Sequence, residues 1–416
     1  MSNAQENQIK LNGVVDVRAF GAKGDGVTDD AAAFTAALAV SRHLVVPAGT
    51  YRLASTVTLP ENTVLQGAGR RASIIKVDAA VVGMSRTYAS KSPVNVMKIE
   101  VRGLGFQGTA AALGALHFDK GDHVVVDSCD FYDFTATGGY GIKLTNVYHW
   151  QVSNSKFENI KLIGLWLVSA SSVGCNAGVC GPNNDFIGNN QASFIGLNFD
   201  RGQNILVYGN NFEGSGNGNK ALDMNGTEGV LITQNYIEAW LNGAIVGNSG
   251  LGNRRVTIEQ NVINAQSTNV CNFNDTTTTN DRITFRANRF ADVTGGQTCV
   301  VFGSTTGAVF EDNDPASGVP ADTHAASPRS VQALTGTVAW DPGSISDAAA
   351  SATSVTVTGA AVGDACVATL SSIGARNMLI TAHVSTTNTV RVTLFNKDGA
   401  PVDLPSGTVR AWVFKP

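Results

Sequence analysis

The sequence predicts an all-β protein: a single-stranded parallel β-helix, closed at its start by a helix and followed by a small antiparallel β-sandwich. Three observations predict it. An alternating apolar segment recurs through residues 104–315, with equivalent positions at Phe106, Phe131, Phe157, Phe186, Phe212, Ile237, Ile263, Phe290 and Pro315. The steps between them are 25, 26, 29, 26, 25, 26, 27 and 25 residues. A drifting period of this size with strand-like alternation is the signature of a solenoid. The second observation is a column two residues earlier: Leu104, Cys129, Ser155, Asn184, Asn210, Asn235, Asn261, Asn288 and Asn313. Coils stack about 4.8 Å apart, so six successive Asn can pass amide hydrogen bonds from coil to coil, and Asn tolerates the left-handed backbone of a tight bend. The third is composition: 45 Gly and only 15% charged residues suit short strands and tight turns.

The 416 residues suffice for one long solenoid and a smaller domain. A net charge of −4 and a pI near 5.9 do not suggest a nucleic-acid partner. No run of about 18 apolar residues is present, so no membrane insertion is expected. The polar start, Met1–Gln8, is not a secretion signal. Residues 1–13 read as a tail or tag remnant, Ser2-Asn3-Ala4 being the kind of scar left by tag removal. Six Cys at irregular spacing make no disulfide framework, although Cys175 and Cys180 can pair across a turn. Cys129, Cys271 and Cys299 read as buried thiols. No Cys/His spacing resembles a zinc site, and no metal is expected.

In chain order, residues 14–54 form the cap. Thr28 is placed to cap a short helix, Ala31–Val40, with Asp29 and Asp30 in its first turn and Phe34 and Leu38 on one face. An open solenoid end exposes unpaired backbone, and this helix is placed to cover it. The solenoid runs over 55–315, with Gly83–Val94 read as a loop. Residues 316–339 read as a linker. Strands at Ser354–Thr358, Ala365–Leu370, Met378–Val384, Thr389–Phe395 and Thr408–Phe414 then place the sandwich in 340–416.

The pieces Asp25-Gly26-Val27-Thr28-Asp29-Asp30 and Val46-Pro47-Ala48-Gly49-Thr50-Tyr51 resemble the N-terminal signature of the pectate-lyase-like parallel β-helix superfamily, in the branch that includes bacteriophage tailspikes. Val64-Leu65-Gln66-Gly67-Ala68-Gly69 also fits that superfamily's early coils. The resemblance implies a right-handed helix and a C-terminal sandwich that holds a homotrimer together. It implies a place on the virion tail, through an N-terminal segment that is short or missing here. Its partner would be a bacterial capsular or O-antigen polysaccharide. It does not fix an activity, because the superfamily holds lyases, hydrolases and binding proteins. No organic cofactor is implied.

A second strand recurs between the repeats, and alternation turns its third position outward: His117, Lys143, Trp166, Asn198, Asp223, Val246, Asn272 and Val301. Trp166, Asn198 and Asp223, an aromatic, an amide and a carboxylate on successive coils, thus make a floor suited to a sugar. Glu213 and Glu238 follow Phe212 and Ile237 in equivalent register, Asp223 lies between them in sequence, and Trp240, two residues after Glu238, is expected on the same face. Two carboxylates one coil apart repel, which favours one protonated acid beside one ionised group. Glycoside hydrolysis needs that division, with carboxyl groups about 5–5.5 Å apart for retention and about 6.5–9.5 Å for inversion. Tailspike endoglycosidases often use Asp and Glu on the helix flank in an inverting scheme, which favours Asp223 with a Glu. Glu213, Asp223 and Glu238 are therefore the candidate catalytic residues, with Lys143, Trp166, Asn198 and Trp240 binding substrate. A solvated face is the structural alternative: Glu158 occupies the same column two coils earlier. A lyase is the enzymatic alternative, for which Lys143, Tyr148, His149 and Arg201 are scattered candidates. A non-cutting adhesin is the third.

Overall fold

The computed structural model describes residues 13–90, 96–169, 174–188, 191–247, 250–274, 278–291, 297–303, 305–314, 333–374 and 377–414. The chain divides into two compact units, 1–325 and 326–416. Residues 1–12 of the expected tail 1–13, Pro315 and most of the expected linker lie outside the described residues.

Three parallel sheets build the first unit, and successive coils between the two ends contribute a strand to each. Among the described residues the first sheet has 12 strands, the second 11 and the third 10. The repeat positions read from sequence are direct neighbours in the second sheet: Phe106 faces Phe131, then Phe157, Phe186, Phe212, Ile237, Ile263 and Phe290. The Phe rings from 106 to 212 form one stack inside the solenoid, with centroids 5.2, 4.9, 4.6 and 4.6 Å apart.

The Asn column is a buried ladder. Side-chain amides of Asn184, Asn210, Asn235, Asn261 and Asn288 each donate to Oδ1 of the next Asn, the last being Asn313, at 2.9–3.0 Å. The left-handed residue of each bend is the one just before the ladder position: Ser128, Asn154, Asn183, Gly209, Gln234, Gln260, Ala287 and Asp312 all have positive φ. The ladder Asn thus serves the bend through its side chain, not its backbone. A second ladder, Thr227–Asn253–Asn280, runs along another bend. It satisfies buried backbone groups in the same way.

The helix Ala31–Val40 buries Phe34, Ala37 and Leu38 in the first unit's core, with Phe34 edge-on to Tyr51 at 5.7 Å. Its start differs from expectation. Thr28 lies in a strand, Asp25–Asp29, and bonds Asp25. Asp30 takes the cap position without capping; its buried carboxylate accepts from the amides of Lys23 and Gly24 and ties down the preceding loop. The first part of the expected loop Gly83–Val94 is instead strand, Val82–Thr87, which extends the third sheet; residues 91–94 lie outside the described residues. No disulfide joins the cysteines, so the bridge from Cys175 to Cys180 is not formed; both are buried, and burial pushes the thiols of Cys129 and Cys180 up to about 12.

The second unit is antiparallel. One sheet joins Ala333–Trp340, Gly407–Phe414 and Ala365–Leu370; the other joins Ala350–Thr356, Thr389–Asn396 and Met378–Thr386. Val355, Leu370, Val392, Leu394, Val409 and Val413 from both sheets share one core. The unit begins earlier than the sequence suggested: residues 333–339, read as linker, pair along their whole length with Gly407–Phe414.

Candidate functional site

Two columns of side chains on neighbouring sheets carry the candidate chemistry. On the third sheet His117, Lys143, Trp166, Asn198 and Asp223 stand side by side on successive strands. All five are half-buried, as outward groups in a shallow surface are. Val246, next in the column on a strand of only two residues, is buried instead, while Asn272 and Val301 beyond it are half-buried again. Lys143 Nζ lies over the Trp166 ring at 4.3 Å, and Tyr140 meets that ring edge-on at 6.0 Å. Burial pulls the Lys143 ammonium below its ordinary pKa, against the opposing charge of Asp119. Burial also lowers His117, with Lys143 adding to it, and pushes Tyr140 up to about 12. Asp223 is held by Lys220 Nζ at 3.0 Å.

On the second sheet Glu213 and Glu238 are in direct register. Glu213 accepts from the Ser215 hydroxyl at 2.9 Å and Glu238 from the Tyr236 hydroxyl. Among the described residues neither carboxylate pairs with a cation. Glu158, two coils earlier in the column, has Lys156 at 2.8 Å and Arg71 at 3.8 Å. Like charges directly opposite in a sheet destabilise it, so this uncompensated pair is unusual for a solvated face.

Trp240 does not join the site. It is fully buried, donates its indole N–H to the Phe212 carbonyl at 3.1 Å and packs on Phe194. Ala239 adopts φ 58° and the register shifts between Ile237 and Trp240. This bulge breaks the alternation and turns the ring inward. The scattered lyase candidates are not brought onto one sheet: Lys143 is on the third, Tyr148 and His149 are on the first, and Arg201 occupies a left-handed bend. One acid escaped the sequence reading. Asp200 lies two residues beyond Asn198 on the same strand and pairs with Asn225, so it stands diagonal to Asp223. Burial raises its pKa, with Arg201 opposing. The alternation around Phe199 was the signal for it, since Asn198 and Asp200 share a face.

Residues 14–245 match the family model "Rhamnogalacturonase A/epimerase, pectate lyase-like". The chain belongs to this family. A pre-neck appendage protein of Bacillus phage phi29 is 45% identical over 83 residues, covering 20% of this chain and 10% of the relative. The chain thus matches only about a tenth of that relative's length. Among solved structures, ORF18 of Geobacillus virus E2 superposes with a TM-score of 0.53 at 15% identity, covering 97% of this chain and 77% of its own. The Pseudomonas phage phi297 tailspike gp61 gives 0.50 at 11%, covering 97% and 99%. These two structures share the fold of this chain.

Proposed function

We propose that this protein is a phage tailspike that endo-cleaves a bacterial capsular or O-antigen polysaccharide by glycoside hydrolysis. Glu213 and Glu238 supply the reacting carboxyl groups, Asp223 flanks them, and Lys143, Trp166 and Asn198 form a sugar-binding floor. The observation that carries the reading is the in-register pair of glutamates without a cation partner among the described residues. Adjacent strands stand about 4.8 Å apart, which suits the narrower carboxyl spacing of a retaining enzyme. Asp223 with a glutamate or with Asp200 suits the wider, inverting spacing. The likeness to phage appendage and tailspike proteins supports a place on the virion tail. A homotrimer fits the second unit, where Val362, Val367 and Leu379 are 70%, 51% and 48% exposed and offer apolar surface for self-association.

The test is digestion of a panel of purified capsular and O-antigen polysaccharides. New reducing ends without unsaturated ends are expected, and the anomer first released reports retention or inversion. Glu213→Gln and Glu238→Gln should each lower the rate by roughly 10²–10⁴-fold while the protein stays folded. Asp223→Asn and Asp200→Asn distinguish the inverting arrangements, since only a reacting carboxyl gives a loss of that size. Full activity in both glutamate variants would remove this site.

One observation favours a second reading. Lys143, its pKa lowered beside His117 and Tyr140, has the character of a base for β-elimination from a uronic acid. Unsaturated, ultraviolet-absorbing ends lost with Lys143→Met would establish that lyase. Unchanged polymer length with retained binding would indicate an adhesin.

A further inference from the structure

We propose that Asp122, His123 and His149 form a binding site for a divalent transition metal, zinc being the natural occupant, on the face built by the first sheet. The three residues come from neighbouring strands, Asp122–Asp127 and Tyr148–Ser153, in which Asp122 faces Tyr148 and Val124 faces Trp150. His123 and His149 therefore oppose each other one coil apart. Both adopt a left-handed backbone, φ 59° and 47°. That conformation interrupts the alternation in each strand, so Val124 and Trp150 stay buried while both imidazoles emerge. Ala177, Asn204, Arg255 and Arg282 take the same conformation at the equivalent place of later coils, so the outward turn belongs to the coil, and the sequence puts an imidazole on it in two adjacent coils.

The donor atoms converge. Asp122 Oδ1 lies 2.7 Å from His149 Nδ1 and 3.1 Å from His123 Nδ1, and it also accepts from the His123 backbone amide at 2.8 Å. The rings stack with centroids 5.1 Å apart. All the ligand atoms fall within 4.8 Å of one another. A tetrahedral zinc with bonds of about 2.0–2.2 Å separates its ligand atoms by about 3.3 Å. The carboxylate oxygen thus has to move away from the two Nδ1 atoms by about 0.6 and about 0.2 Å to admit the ion, within reach of a side-chain rotation. The amide bond fixes the carboxylate before any metal arrives, as outer hydrogen bonds do at metal sites.

The donor set selects the metal class. Two imidazoles and one carboxylate suit zinc, nickel, cobalt or copper, whereas calcium and magnesium need an all-oxygen shell. The histidine side chains are 55% and 56% exposed, which leaves solvent access for a fourth ligand. The acids and Lys143–Trp166 floor of the hydrolytic reading are on the other two sheets, so this site is independent of that reading. Its effect would be to tie two coils together, since His149 belongs to one coil and Asp122 and His123 to the one before.

Isothermal titration of metal-stripped protein with zinc chloride tests the site. One equivalent per chain is expected, with weaker binding as pH falls because protons compete for the imidazoles. Zinc should raise the thermal midpoint, and His149→Ala and Asp122→Asn should each weaken the zinc affinity at least about tenfold and abolish that rise. His117→Ala, on another sheet, should leave both unchanged. Saturation with cobalt should produce the visible absorption of a low-coordinate site in the parent and not in His149→Ala. Zinc binding of equal strength in the parent and in the His123→Ala/His149→Ala double variant would overturn the proposal. So would binding of calcium in preference to zinc, or no binding at all.

Discussion

Asn235 shows how much one side chain does in this fold. It is 2% exposed. Its Oδ1 accepts from the amide and the side chain of Asn210, both at 3.0 Å. Its Nδ2 reaches the carbonyls of Val207 and Thr233 and Oδ1 of Asn261. Asn235→Ala leaves several buried groups without partners, and should cost about 2–4 kcal/mol in denaturant unfolding. Asn313→Ala, at the half-buried end of the ladder, should cost clearly less; equal losses would mean that burial does not set the effect. The ladder was legible because period and residue type coincide. Trp240 was misread because alternation assumes a regular strand, and nothing in Glu238-Ala239-Trp240 announces the left-handed Ala239. The meeting of His123 with His149 was missed for another reason. Metal motifs are sought at short spacing, yet here 26 residues are one coil, and the column arithmetic that aligned Phe131 with Phe157 aligns these histidines as well.

At the scale of the strand, the Phe stack and the third sheet depend on each other through glycine. Gly141, Gly164 and Gly196 are the second residues of three successive strands of that sheet. A Cβ on Gly164 would stand 2.7 Å from the Gly196 carbonyl oxygen and 3.0 Å from the Phe186 ring. The neighbouring carbonyl is backbone and cannot move aside without disturbing the next coil. Gly164→Val should therefore destabilise by at least about 1–3 kcal/mol, the usual cost of overfilling a packed core, and a variant as stable as the parent would show that the coils can separate locally. The sequence displayed these strands clearly, because their Gly-apolar-X-apolar pattern repeats. It gave less notice of the cap, where Asp30 works through loop amides and not as a helix cap, and of Ala333–Trp340, whose strand pairing depends on a partner more than sixty residues away.

In the first unit every strand pairs with the strands of the adjacent coils, and only long side chains such as Arg71 reach further, so its stability is close to a sum of nearest-neighbour contacts. This makes removal of a complete coil a fair test of the architecture. Excising residues 105–129 joins Leu104 to Asp130 and keeps every downstream residue in phase. Phe131 would then rest on Ile75, the residue that Phe106 covers in the intact chain. The shortened protein should fold to a soluble β-rich solenoid with a lower thermal midpoint, measured by circular dichroism. It should lose zinc binding, since Asp122 and His123 leave with the coil, and should keep polysaccharide cleavage, since Glu213 and Glu238 are several coils away. An aggregated product would mean that the coils are not interchangeable units. A folded but inactive one would mean that the cleft reaches back to His117, and would move the chemistry toward Lys143 and away from the glutamate pair.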